Sequence, residues 1–471
     1  MRGATQAAPE PDLDVLTIAQ VVTRDRTQRV ATRREPPRSV STYRFRGEAL
    51  LGAIAALATA ACYSIGSSRA FDYDGSVTVV LFIRAPISAA IRGQYVFNNH
   101  PYFSLLEQFV WRITGSSSES TLRLLPVACA AGAVGIVGFV VSRRWGILAG
   151  GSAAAIVATN PVFIQESREV RGYSLMVLCA VVSSCILWSR ERLPWHRSVY
   201  VAAMGLGLGT HLFMFVVLAI HVVVVASSHR MSRSWECRWA VATAIGSVPY
   251  LFEFRELLGR PHPRMFNPNF PLIAARDLLG HQWLTVAITG CLVALALWRY
   301  RHSLALVGAG AVVVLAIAAT WVVAIQEASR FFLWLVPAVA VGVGAVVARR
   351  AVAALLVAVA CAAAVTTILP SYRLDPLGNR TAARIVATAR RQGLVTCGLG
   401  GATETLPVYV GDIPEMFDPS LLRRCDVVVD TNPGEDPALL ASVRAAFPYR
   451  TVLPAAVQGV ILSKFPLPRA A

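Results

Sequence analysis

The chain has 471 residues, of which 55% are hydrophobic and 15% charged, with a mean hydropathy of +0.55. That composition excludes an ordinary soluble domain and describes a polytopic membrane protein. The formal net charge is +17, with Lys464 the lone lysine. The arginines are spread over short connections between apolar runs, so membrane topology explains them better than nucleic acid, and no nucleic-acid partner is expected.

Residues 1–46 are polar and Arg-rich, with PEPD and EPPR stretches, and predict a disordered cytoplasmic tail. The first apolar run, 49–65, has no convincing cleavage site and reads as an anchor. A helical span takes about 20 apolar residues, with about 17 the practical minimum. Candidate spans are 47–66, 122–141, 146–161, 172–189, 198–208, 211–227, 239–253, 283–298, 303–324, 331–348 and 351–369. The run 198–227 is too long for one span and short for two; Gly205, Gly207 and Gly209 are candidates for its break.

Arg143-Arg144, Arg190/Arg192/Arg197, Arg230/Arg233/Arg238, Arg299/Arg301 and Arg349-Arg350 fall on alternate connections, on the side of Arg44 and Arg46. The positive-inside rule puts that side and the N-terminus in the cytoplasm. The opposite face holds the 67–121 loop, the 160–171 connection, the 254–282 loop, the 326–330 turn and the region from Pro370. Within the 67–121 loop, 77–91 and 103–113 read as helices lying in the membrane interface. The second has Leu105, Leu106, Phe109, Val110 and Ile113 on one side, Glu107, Gln108 and Arg112 on the other, and Trp111 as an anchor.

From about residue 370 the pattern changes to helix 380–391, strand 394–397, strand 426–430, helix 437–446 and strand 460–462. Cys397 and Cys425 are the two cysteines predicted outside; a disulfide and two buried free thiols are equally compatible with the sequence. The expected fold is therefore an all-α polytopic membrane protein with about 11 transmembrane helices over 47–369, interfacial helices in the first outer loop, and a small extracytoplasmic α/β domain over 370–471.

No Asp, Glu or Lys lies at a span centre, where ion-coupled transporters usually need one. The candidate chemistry sits on the outer face. Asp72 and Asp74 open the first loop, with His100 and Tyr102 further along it. After Asn160-Pro161 comes QESREVRGY, where a helix would pair Ser167 with Arg171 and Glu169 with Tyr173 at i,i+4. Arg330 precedes Phe331-Phe332 at the outer end of a span. Taken singly these are ordinary interfacial residues: a Glu–Arg belt, a Tyr anchor, a snorkelling arginine.

Taken in order, the segments FDYDG, NNHPYFSLLEQFVWRITGSSSESTLRLLP, NPVFIQESREVRGYSL, GLGTHLFMF and ASRFFLWLVPAV resemble a family. They look like bacterial relatives of the protein O-mannosyltransferases and the lipid A aminoarabinose transferases, glycosyltransferases of the C-type fold (family 39-like). The likeness covers roughly residues 45–350. It implies a polyprenyl-phosphate sugar as donor, an extracytoplasmic glycan, lipid or protein as acceptor, and a place in the bacterial plasma membrane. Mannose, arabinose and aminoarabinose are all compatible with it. It further implies that Asp74 is the base, with Asp72 its rival; that Glu169, Arg171 and Tyr173 belong to the donor site; that Arg330 binds phosphate; and that His100, Tyr102 and His211 line the cavity. Gly75 and Asn98-Asn99 stand where the family often has acids, which weakens the case for a divalent cation; no other cofactor is expected. The alternative classes are a transporter or flippase of lipid-linked sugars and a non-catalytic envelope scaffold.

Overall fold

The computed structural model describes residues 38–92, 100–189, 193–228, 232–259, 267–323, 328–373, 379–399, 406–411, 424–430, 450–451 and 460–464. Helix α1 (Arg38–Ser64) begins just after Pro36-Pro37, so residues 38–46 are helical where a tail was expected. No proline or glycine interrupts 38–46, and the helix of the apolar run simply extends back to the prolines. The rest of that predicted tail lies outside the described residues.

The described residues of the first loop form four short helices. They are α2 (Tyr73–Thr78), which runs on through a π-helical turn at Val79–Ile83, then α3 (Ile87–Arg92), α4 (Pro101–Thr114) and α5 (Glu119–Leu122). The single helix expected over 77–91 is broken before Pro86, which has no N–H to donate and disfavours helix in the residue ahead of it. Gln108 closes the break: its Nε2 donates to the carbonyls of Phe82 (2.6 Å) and Ala85 (3.0 Å).

Helix α4 is amphipathic, but its faces are the reverse of a soluble helix. Glu107 and Gln108 are buried, whereas Phe109 and Ile113 are 63% and 67% exposed. In a bilayer the apolar face turns to lipid and the polar face must find the protein. Burial pushes the Glu107 carboxyl well above the ordinary range.

The main body follows as α6 (Leu124–Trp145), α7 (Ile147–Thr159), α8 (Pro161–Ser167), α9 (Tyr173–Trp188), α10 (Pro194–Thr210), α11 (Met214–Ser227), α12 (Arg233–Gly259), α13 (Phe270–Leu279), α14 (Trp283–Arg299), α15 (Leu304–Val323), α16 (Leu335–Val347) and α17 (Val352–Arg373). Each of the eleven predicted spans coincides with a helix. Among the described residues four helices are individually long and apolar enough to cross a membrane. The number rises to six if α7 with α8, bent by 63°, and α13 with α14, bent by 83°, each make one span.

The α10–α11 break falls at 211–213, after the glycines. The glycines instead make room. A Cβ on Gly209 would lie 2.3 Å from the Tyr102 ring, and one on Gly207 would lie 2.6 Å from Met214 Cε. Close approaches elsewhere use the same device, with Gly52 against Gly135 and Gly150 against Gly138. Lipid supplies no hydrophobic drive between helices, so small residues that allow dense contact stabilise them.

The C-terminal lobe packs α18 (Asn379–Arg391) and the short α19 (Pro407–Val410) on a sheet of β1 (Thr396–Leu399), β2 (Val427–Asp430), β3 (Arg450–Thr451) and β4 (Val460–Ser463). The strand order is β1-β2-β4-β3, with β1 and β2 parallel and the other pairs antiparallel. Its core includes Ala382, Val386, Ala389, Leu406, Val427 and Val429. Cys397 and Cys425 are joined by a disulfide. The helix predicted at 437–446 lies outside the described residues.

Candidate active site

Asp72 and Asp74 lie at the start of α2 with different tasks. The Asp72 Oδ1 accepts the Gly75 N–H at 2.6 Å and caps the helix. Asp74 points the other way, where its Oδ2 accepts from Arg171 Nη1 and, at 3.1 Å, from Arg330 Nη1. Arg171 comes from the 168–172 connection between α8 and α9, and Arg330 from a 3-10 turn at Ala328–Phe332. The Arg171 side chain is 1% exposed, while those of Asp74 and Arg330 are 20% and 23% exposed. Arg171 is therefore buried, and the other two are partly exposed.

His100 sits behind Arg171 at the N-cap of α4. Its Nδ1 is 3.2 Å from the Thr210 carbonyl, so Nδ1 carries the proton. Its Nε2 then accepts from the Arg171 guanidinium, with Nε and Nη2 both at 3.4 Å. Burial, with a further contribution from Arg330, lowers the His100 pKa to about 4 against the pull of the Thr210 carbonyl. The imidazole is neutral at physiological pH and orients Arg171 as an acceptor.

An aromatic wall backs the pair of arginines. His100 stacks on His211 at 5.3 Å and meets the Tyr173 ring edge-on at 5.0 Å. Phe331 stacks on Tyr173 at 6.4 Å. The Arg171 and Arg330 guanidinium carbons lie 5.2 and 5.7 Å from the Tyr173 centroid, within cation–π range. Gly172 is part of the fit: a Cβ there would come within 2.6 Å of Thr210 Cγ2 and 2.9 Å of His100 Cβ.

A second group fastens the two chain segments that carry Asp74 and Arg171. The buried Arg123, N-cap of α6, donates to the carbonyls of Arg168 (Nε, 2.6 Å), Ser67 and Arg69 (Nη1, both 2.6 Å) and Ala70 (Nη2, 3.2 Å). Glu169 pairs with Arg69 and lies 3.6 Å from Arg123. Burial and then the Asp72 charge push the Glu169 carboxyl up to about 7, outweighing both guanidinium groups.

Among the described residues no three His, Cys, Asp or Glu side chains converge as a bound cation would require. Asp74 faces two guanidinium groups, so the described residues around it do not suit a divalent cation.

No family model and no curated protein matches the sequence. Solved structures do match the fold. The crystal structure of ArnT from Cupriavidus metallidurans in the apo state superposes with a TM-score of 0.58 at 12% identity, covering 87% of this chain and 97% of that one. ArnT from the same organism bound to undecaprenyl phosphate matches with a TM-score of 0.52 at 13% identity, covering the same shares. The chain has the C-type glycosyltransferase fold.

Within that fold, Asp74, His100, Arg171, Tyr173, His211 and Arg330 meet from five separated segments. Glu169 stands one step back, on Arg69 and Arg123. Tyr102 turns away: its hydroxyl donates to the Ile245 carbonyl at 2.5 Å and its ring fills the space beside Gly209. The helical pairing expected over 165–173 does not form. Helix α8 ends at Ser167, and Arg123 captures the Arg168 carbonyl before another turn can follow. The sequence pattern alone does not mark Arg69, Arg123 or Gly172 as part of this group. Arg123 carried one usable signal, an arginine at the mouth of a strongly apolar span, which lipid tolerates only when the charge finds protein partners.

Proposed function

We propose that the protein is an inverting glycosyltransferase that moves a monosaccharide from a polyprenyl-phosphate carrier to an extracytoplasmic glycan, lipid or protein in the bacterial plasma membrane. The observation that carries the proposal is the partly exposed Asp74 held between Arg171 and Arg330 in a membrane protein of this fold. ArnT has been captured with undecaprenyl phosphate, a lipid phosphate of the proposed class. The disulfide-bonded lobe abuts the first loop, which supports placing both in an oxidising compartment outside the cytoplasm.

In the proposed reaction the acceptor hydroxyl gives its proton to Asp74 as its oxygen attacks the anomeric carbon. The bond from that carbon to the phosphate oxygen breaks on the opposite face, and configuration inverts. The leaving polyprenyl phosphate takes the bond electrons, and Arg171 and Arg330 stabilise its developing charge. A carboxylate engaged by two guanidinium groups is a weak base. A donor phosphate competes for those same N–H groups, so donor binding frees Asp74 and raises its basicity. The base is thereby active only when a donor is present.

Purified protein in lipid nanodiscs is expected to release polyprenyl phosphate from polyprenyl-phosphate sugars of mannose or arabinose, by transfer or by slow hydrolysis. Movement of the intact lipid-linked sugar across the bilayer without cleavage would instead support a flippase.

A further inference from the structure

Among the described residues, the C-terminal lobe touches the first loop through the short helix α19. The Phe71 N–H donates to the Tyr409 hydroxyl at 2.9 Å, and the two rings lie 6.3 Å apart. Arg84, at the end of the π-helical turn that continues α2, donates to the Val408 carbonyl at 2.9 Å and to Ser117 Oγ at 2.7 Å. The lobe holds α19 firmly from behind. Arg390 of α18 donates to the Val410 carbonyl (2.7 Å) and to Thr396 Oγ1 (2.9 Å), and Tyr409 and Val410 pack on the lobe core.

On the loop side, Phe71 immediately precedes Asp72, which caps the helix carrying Asp74. The Phe71 ring is clasped from two directions: Arg123 of the helical body lies 5.2 Å from its centroid, and Tyr409 lies beside it. Arg123 also fixes the carbonyls of residues 67, 69 and 70, while Tyr409 accepts the Phe71 N–H. The backbone leading into α2 is thus set jointly by the membrane body and by the lobe.

We infer that Tyr409 is a positioning residue for the base: through the Phe71 N–H it sets the angle at which α2 presents the Asp74 carboxylate, making the C-terminal lobe a working part of the catalytic centre. The inference rests on the proposed glycosyl transfer for its kinetic consequence, but not for its structural one. An error of about 1 Å in a reacting group is enough to cost on the order of a hundredfold in rate, so a loop anchored at one end only is a weak platform for a base. Arg84 belongs to the same strap, and its loss acts in the same direction.

The test uses the full-length protein in nanodiscs with Tyr409→Phe, which keeps the ring and its packing, and Arg84→Gln as a second variant. Hydrogen exchange read on peptides spanning residues 67–78 is expected to quicken about fivefold in Tyr409→Phe, as for loss of one hydrogen bond. With a polyprenyl-phosphate sugar, kcat is expected to fall about tenfold with KM for the donor unchanged, the pattern of a group that acts only in the transition state. Unchanged exchange over 67–78 in both variants overturns the inference, and so does faster exchange with an unaltered kcat. If the wild type cleaves no lipid-linked sugar, the proposed reaction fails, and the exchange result alone decides whether the lobe sets the loop.

Discussion

Asp74, Arg171 and Arg330 meet at one end of the helices, while Ser184, Tyr200, His221 and Trp239 meet between α9, α10, α11 and α12. In the second group each polar atom has a neutral partner. The Trp239 indole donates to the Tyr200 hydroxyl at 3.1 Å, that hydroxyl reaches His221 Nδ1 at 3.0 Å, and His221 Nε2 reaches Ser184 Oγ at 3.1 Å. Donor follows acceptor along the whole chain, with no charge involved. Such a network ties helices together where lipid offers no alternative partner. The first group sets two guanidinium groups against one carboxylate, beside a buried Tyr173 hydroxyl with no hydrogen-bond partner among the described residues. A closed network is structural; two guanidinium groups around a partly exposed carboxylate suit the anionic donor proposed above.

Four substitutions sharpen that contrast. Asp74→Asn keeps the shape and removes the proposed base, and is expected to lower kcat by about 10²–10⁴-fold in a transfer assay. Arg330→Ala removes the partly exposed, proposed phosphate partner and is expected to cost about 10²-fold, with lipid-phosphate affinity falling in the same preparation. Gly172→Ala drives a methyl into Thr210 and His100 and so tilts Arg171; a loss on the order of tenfold to a hundredfold is expected, with little change in expression. His221→Phe opens the neutral network instead, and should leave kcat near wild type while lowering stability by roughly 1 kcal/mol. A large loss of kcat in His221→Phe with intact stability would erase the distinction between the two groups.

The smallest expected effect is a pH dependence. The folded-state pKa of Glu169, about 7, stands above the ordinary carboxylate value. Its contribution to stability is therefore full below that ordinary value and is lost as pH rises through about 7. His100 has the opposite sign: its folded pKa of about 4 lies below the ordinary imidazole value. Its contribution is full above about pH 6.5 and is lost as pH falls through about 4. Thermal unfolding of wild type and Glu169→Gln should show the wild type losing ground to the variant between pH 5 and 8. A constant gap would show that Glu169 does not titrate there.

Much of this architecture is legible in the sequence because apolar runs and arginine-bearing loops record the bilayer directly. The segments holding Asp74, Arg171, His211 and Arg330 can be nominated the same way, since polar residues at the mouth of an apolar span need a reason. Two features are not legible. The 168–172 connection has a helix-compatible sequence, yet Arg123, distant in the chain, holds it in turns. Long-range capture of a carbonyl leaves no local mark. The Tyr409–Phe71 contact spans the chain in the same way, and neither residue announces it.

The central claim is that Asp74 is the base and Asp72 its cap. The most direct measurement is single-turnover release of polyprenyl phosphate by purified protein, with Asp74→Asn and Asp72→Asn compared side by side. Asparagine caps a helix about as well as aspartate, so Asp72→Asn is expected to stay within about tenfold of wild type while Asp74→Asn loses at least about 10²-fold. Full activity in Asp74→Asn, or a silent Asp72→Asn beside an active Asp74→Asn, would contradict the assignment.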